Sequence, residues 1–189
     1  KLTEKNIDKI VAAMTLEEKA NIVVGMSRSL TDAETANIGY TKKIVPGAAG
    51  TTYPIPRLGV TPMVFADGPA GVRISTTRKG VDRKFYCTGF PVGTLLSSTW
   101  NDALVETVGN ALGEEAKEYG VDVLLAPGLN IMRNPLCGRN FEYYSEDPLL
   151  TGKIAAAYVR GVQSEGVGTS IKHYAVNNQE INRLANDSR

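Results

Sequence analysis

Residues that most often carry chemistry or cross-links are scarce in this 189-residue chain, which has one histidine, two cysteines and one tryptophan. A structural zinc site takes four N or S ligands at close spacing, so a cysteine-histidine zinc module is excluded and no metal site is expected. Cys87 and Cys137 make no disulfide scaffold and are expected to stay reduced. Charge of one sign is also missing. Against 20 Asp and Glu stand 21 Lys and Arg, a net +1, so no large field favours phosphate backbones or anionic lipid. Neither nucleic acid nor a membrane is an expected partner, and no apolar run approaches the roughly 20 residues that span a bilayer. A start at Lys1 in place of Met predicts a processed or cropped terminus, and localisation stays unreadable.

Familiar ligand motifs are absent as well. Gly47-Ala48-Ala49-Gly50 is not followed by the Gly-Lys-Ser/Thr of a phosphate loop, and Gly166-Val167-Gly168 lacks a third glycine and enters a strand. Nothing reads Gly-x-Ser-x-Gly, so no serine-hydrolase elbow is present. Asn186-Asp187-Ser188 is a formal glycosylation sequon, but such triplets arise by chance and no function attaches to it.

What is there is the composition of a globular chain, 42% hydrophobic and 22% charged. Ile7, Ile10, Val11 and Met14 fall at helical spacing, and Thr15 with Glu18 reads as a capping box opening a second helix. From Gly25 to Pro62 the pattern dissolves into Ser, Thr, Gly and Pro, which predicts a long surface loop. Beyond it, regular units follow. Met63 to Ala66 and Val121 to Ala126 read as buried strands and Thr169 to Tyr174 as a third, less apolar one. Between them lie a helix from Asn101 to Tyr119, closed by Gly120, and a helix opened by Asp147-Pro148, running to Gln163 and ended by Gly166. Alternating strands and helices with near-continuous apolar strands define an α/β fold with parallel pairing. An open doubly wound sheet and a (β/α)8 barrel both accept such units, but three repeats fall short of a barrel of about 250 residues. The polar run from Asn182 to Arg189 ends no domain convincingly, and the chain is expected to be part of a larger protein.

In parallel α/β folds functional groups gather at the C-terminal strand ends, where the βα loops and helix N-termini lie. The first strand runs into Asp67 and Arg73, the second into a loop with Arg139, Asn140 and Glu142, and the third into Lys172-His173. This mixture suits a polyhydroxylated ligand, since a carboxylate accepts from vicinal hydroxyls while cations donate to them. Each residue has a plainer reading. Asp67 before Gly68-Pro69 fits an Asx turn, Arg139 and Glu142 fit an ordinary loop salt bridge, and His173 fits a packing histidine beside a solvated Lys172.

Five separated blocks carry a resemblance: Ala66 to Arg73 (ADGPAGVR), Ser98 to Asn101 (STWN), Leu125 to Ile131 (LAPGLNI), Gly138 to Pro148 (GRNFEYYSEDP), and Lys172-His173-Tyr174 through Asn177 to Glu180. In order and spacing they resemble the N-terminal domain of glycoside hydrolase family 3 β-glucosidases over essentially the whole chain. The resemblance implies an incomplete (β/α)8 barrel-like domain, with residues 1–61 as helical prelude and long loop and 62–189 as βαβαβ units. The rest of the barrel and a following α/β sandwich domain would lie outside this sequence. It implies a retaining exo-acting β-glucosidase that uses no cofactor. By motif matching, Asp67 is the carboxylate for distal hydroxyls of the nonreducing sugar, Arg139, Lys172 and His173 are donors to the others, and Arg73 is an added contact. No Pro-Gly-His-Gly segment follows Lys172-His173, which points away from the family's β-N-acetylglucosaminidases.

Retaining hydrolysis takes a nucleophilic and an acid/base carboxyl about 5–5.5 Å apart. The family's Ser-Asp-Trp nucleophile motif does not occur here, and Glu142, Glu146 and Glu180 match neither role. The isolated chain is therefore expected to be inactive, with Glu142 orienting Arg139. The expected partners are a β-glucoside or oligosaccharide and the remainder of the same enzyme, joined covalently or as a second chain. Alternatives are β-xylosidase activity, a noncatalytic carbohydrate-binding relative, or a small doubly wound binding or structural protein.

Overall fold

The structure is a computed structural model that describes residues 2–27 and 44–185. The sequon at 186–188 and the middle of the expected Gly25 to Pro62 loop lie outside these residues. Two short helices open the chain, α1 (Ile7–Ala13) and α2 (Leu16–Val24). The Thr15 capping box forms as read: Glu18 N donates to Thr15 Oγ1 at 3.1 Å and Thr15 N to the Glu18 carboxylate at 2.9 Å.

A five-stranded sheet follows in the order β1 (Met26–Ser27), β2 (Gly50–Thr51), β3 (Val64–Asp67), β4 (Val123–Leu125) and β5 (Gly168–Thr169). The three strands of the α/β repeats, β3, β4 and β5, pair in parallel, while β1 and β2 add antiparallel neighbours on the β3 side. The expected Gly25 to Pro62 surface loop is not all loop, since β1 and β2 both fall within it. Its Gly50-Thr51 pairs with Val64 and Phe65, a two-residue strand too short to leave an apolar alternation in the sequence. The third strand is also shorter than Thr169 to Tyr174. β5 starts one residue early and keeps only Thr169 of that span; pairing resumes at one bridge between Gly128 and Lys172, and Ile171 and Tyr174 are exposed and add no apolar burial to hold a longer strand.

Between β3 and β4 lie the one-turn helix α3 (Gly93–Ser97), absent from the sequence reading, and α4 (Asp102–Glu118); α5 (Pro148–Ser164) joins β4 to β5. Asn101 Oδ1 caps α4 by accepting from Leu104 N at 3.0 Å, and Asp147 caps α5 through Leu149 N at 2.8 Å. Val105, Leu112 and Ala116 of α4 meet Ile154, Tyr158 and Val162 of α5, and Val64, Ala66, Leu124 and Ala126 complete this core beneath them. The two helices cross closely. A Cβ on Gly161 would sit 2.1 Å from the Glu106 carbonyl oxygen, and one on Gly109 2.5 Å from that of Tyr158.

Candidate functional site

β3 and β4 run in register, Asp67 opposite Leu125, so Asp67 and the Pro127 to Asp147 loop emerge on one edge of the sheet. Beyond β5 the backbone stays tied to that edge. Lys172 N donates to Pro127 O at 3.0 Å, and Leu129 N to Lys172 O at 2.8 Å. These bonds bring Lys172 beside Asp67 although β5 itself has ended. The Lys172–His173 peptide is cis.

The five sequence-selected residues come together in two joined groups. In the first, Lys172 Nζ donates to Asp67 Oδ1 at 2.6 Å, and Arg73 Nη1 approaches Asp67 Oδ2 at 3.7 Å from a largely solvated position. In the second, Arg139 Nε donates to Glu142, and Arg139 Nη2 lies 2.8 Å from His173 Nε2. The Lys172–His173 peptide links the groups. The Asx-turn reading of Asp67 does not describe its side chain, which faces two cations, and Arg139 and Glu142 form an ion pair, as both readings of that loop expect.

Several residues the sequence did not select hold these groups. Tyr143, fully buried, places its hydroxyl 3.1 Å from His173 Nδ1 and receives a hydrogen bond from Asn177 Nδ2 at 2.7 Å. Asn130 grips His173 by its backbone: His173 N donates to Asn130 Oδ1 at 2.7 Å. Glu180 approaches Arg139 Nη1 at 3.9 Å while holding Arg183 at 3.1 Å. Helix α3 clamps the loop from outside. Gly93 packs so tightly that a Cβ would lie 2.5 Å from Glu142 O, and Thr94 Oγ1 sits within 3.1 Å of the carbonyls of Asn140, Phe141 and Tyr143.

The electrostatics follow from this enclosure. Burial opposes the Arg139 charge, but the Glu142 carboxylate outweighs it and holds the guanidinium above its usual range. His173 moves the other way. Burial first, then the positive Arg139 and Lys172, keep its ring below the ordinary 6.5, against a weaker pull from Glu142 and Asp67. The site thus sets the carboxylates of Asp67, Glu142 and Glu180 against Lys172 and Arg139 around a neutral imidazole, with Arg73 at its solvated margin. Beside it, a cavity of about 580 Å³ opens between Asp67 to Thr76, Phe85 to Gly89 and Phe141-Glu142. Among the described residues no cluster of three or more His, Cys, Asp or Glu could hold a metal ion, and no helix is long and apolar enough to cross a membrane. Cys87 and Cys137 are free thiols, and burial together with Glu115 pushes Cys87 up to about 11.

Comparison with known proteins agrees with this arrangement of strands and blocks. Residues 69–180 match the family described as "Glycosyl hydrolase family 3 N terminal domain". The chain is 41% identical over 186 residues to thermostable beta-glucosidase B of Acetivibrio thermocellus, covering 97% of this chain and 22% of that protein. It is 42% identical over 183 residues to an exo-alpha-(1->6)-L-arabinopyranosidase of Bifidobacterium longum, covering 95% of this chain and 21% of the relative. The solved structure of beta-glucosidase 3B from Thermotoga neapolitana in complex with glucose superposes with a TM-score of 0.86 at 54% identity, over 95% of this chain and 24% of that one. The chain therefore spans about a fifth to a quarter of these relatives' length. With a family match over more than half its residues and a shared barrel-like α/β fold, the chain belongs to glycosyl hydrolase family 3.

Proposed function

We propose that this chain is part of a retaining, exo-acting β-glucosidase and supplies part of the subsite for the terminal nonreducing sugar. The observation that carries the reading is the Lys172–Asp67 ion pair, which joins two strand ends beside the Arg139–His173 pair. An ionised carboxylate accepts at about four lone-pair positions. With Oδ1 held by Lys172, Asp67 retains capacity for vicinal sugar hydroxyls, while Lys172, Arg139 and Arg73 donate to neighbouring ones and His173 borders them. The catalytic carboxylate pair belongs to the remainder of the enzyme. In this reading Glu142 and Glu180 serve as counter-ions to Arg139 and Arg183, and the mechanism calls for no metal or organic cofactor.

The residues 1–61 form a prelude to the βαβαβ units of 62–189, and the rest of the barrel and a second domain complete the enzyme. The 189-residue chain alone should release no nitrophenol from an aryl β-glucoside, whereas the complete enzyme should. Turnover by the chain alone overturns the assignment of both carboxylates to the remainder. The arabinopyranosidase relatives favour a second reading, in which the terminal sugar is a different pyranose. Parallel assays on aryl β-glucoside, β-xyloside and α-L-arabinopyranoside separate these. A complete protein that binds glucose but cleaves none of the three is a noncatalytic relative.

A further inference from the structure

We propose that Asn130 is a positioning residue that fixes His173 as its Nδ1–H tautomer, with Nε2 turned to Arg139 as a hydrogen-bond acceptor. Arg139 sets the state of the ring at Nε2. A guanidinium has five N–H donors and no acceptor, so Nη2 at 2.8 Å requires a lone pair on His173 Nε2. The ring proton of the neutral imidazole then sits on Nδ1.

Two groups face Nδ1, Tyr143 Oη at 3.1 Å and Asn130 Oδ1 at 3.3 Å, and they differ in kind. A hydroxyl donates or accepts by rotation, so Tyr143 tolerates either tautomer. An amide oxygen only accepts. The sense of the Asn130 amide is itself fixed by the backbone. His173 N–H needs an acceptor and lies 2.7 Å from Oδ1, which leaves Nδ2 to donate to His173 O at 3.3 Å. Asn130 is buried, 8% exposed, so no solvent replaces it. It holds both peptide groups of His173 and supplies the one partner of Nδ1 that selects a proton there.

The consequence for a ligand rests on the proposed sugar subsite. His173 orients Arg139 and does not donate from Nε2, which departs from the expectation that it is a hydroxyl donor. With its one Nε2 lone pair taken by Arg139, the ring offers a hydroxyl no donor, and a hydroxyl could bond there only by donating in place of Arg139.

His173 is the only histidine of the chain, so its imidazole signals need no assignment. Long-range 1H–15N correlation of the 15N-histidine-labelled chain near neutral pH, without ligand, should show a protonated Nδ1 and a bare Nε2. A protonated Nε2 overturns the proposal. Asn130→Ala should lose the single tautomer and populate Nε2–H, and Asn130→Asp, which keeps the acceptor, should retain Nδ1–H. Unchanged tautomer in Asn130→Ala shows that the Arg139 contact at Nε2 suffices to select it and overturns the role of Asn130. Tyr143→Phe provides a variant that leaves Asn130 intact: Nδ1–H should persist, and its replacement by Nε2–H also overturns the proposal. The readout involves no sugar, so its failure and failure of the subsite reading are separate results.

Discussion

Lys172 Nζ lies 2.6 Å from Asp67 Oδ1, a contact between residues 105 positions apart in the chain. Only 16% of the Lys172 side chain is exposed, so Asp67 is the group that neutralises a mostly covered ammonium. Removing it does two things: it takes away a ligand acceptor and it frees Lys172 to move. In the complete enzyme, Asp67→Ala should lower kcat/KM by on the order of 100-fold, about 2.7 kcal/mol of transition-state stabilisation. Activity within twofold of wild type would reduce Asp67 to a loop residue.

Helix α5 offers a paired test of packing against propensity. Glycine inside a helix costs about 1 kcal/mol relative to alanine, so Gly152→Ala, where the new Cβ meets nothing within 4 Å beyond the adjoining backbone of its own helix, should raise stability by roughly 0.5–1 kcal/mol. Gly161→Ala meets the Glu106 carbonyl at 2.1 Å, and the forced separation of α4 from α5 should outweigh the gain and cost about 1–3 kcal/mol. Thermal melts of the two variants should shift in opposite directions. A stabilised Gly161→Ala would show that the helix crossing is loose.

Stability should fall as pH drops below about 6.5, and the sign follows from His173. Its folded ring resists protonation through burial and the nearby Arg139 and Lys172 charges, while the unfolded ring protonates at its ordinary 6.5. The unfolded state therefore takes up the proton first. The contribution is complete above 6.5 and is lost as pH falls toward the lower folded value. The depressed carboxylates, Glu18 and Glu180, act only below their ordinary 4.5 and leave this window clear. Urea midpoints at pH 7.5 and 5.5 should differ in the parent and converge in His173→Gln; an equal difference in both would remove His173 as the cause.

Arg139 serves Glu142 and His173 from one planar fork, a geometry that lysine cannot reproduce. Arg139→Lys keeps the charge but should leave at least one partner unmet. With Glu142 nearly buried, it should cost about 1–3 kcal/mol in a denaturation experiment. A variant as stable as the parent would mean that charge alone suffices there.

Long-range order in this fold was legible where it repeats and obscure where it is brief. Helices α4 and α5 carry seventeen residues each, a clear apolar period and side-chain caps, and their ends fell within a residue or two of those expected. Helix α3 has five residues and owes its existence to Gly93, Thr94 and Ser97 gripping the Asn140 to Tyr144 backbone, a tertiary cause with no local period. Strands β1 and β2 escaped for the same reason. At the site, Asp67, Arg139, Lys172 and His173 stood out because charged residues after apolar strands are conspicuous. Asn130, Tyr143 and Asn177 did not, since their contribution is to hold other side chains. All three lie inside the blocks that carry the family resemblance, but nothing in residue type or spacing there marks them as holding other side chains.

The antiparallel β2 has a further effect on how any larger sheet is assembled. By occupying the side of β3 at Val64 and Phe65, it closes that flank to another parallel strand, so extension in the parallel sense proceeds from β5 alone. Growth in the parallel sense is one-way, and the seam of any ring built on this sheet would lie at the β1–β2 flank, on the opposite margin from β5.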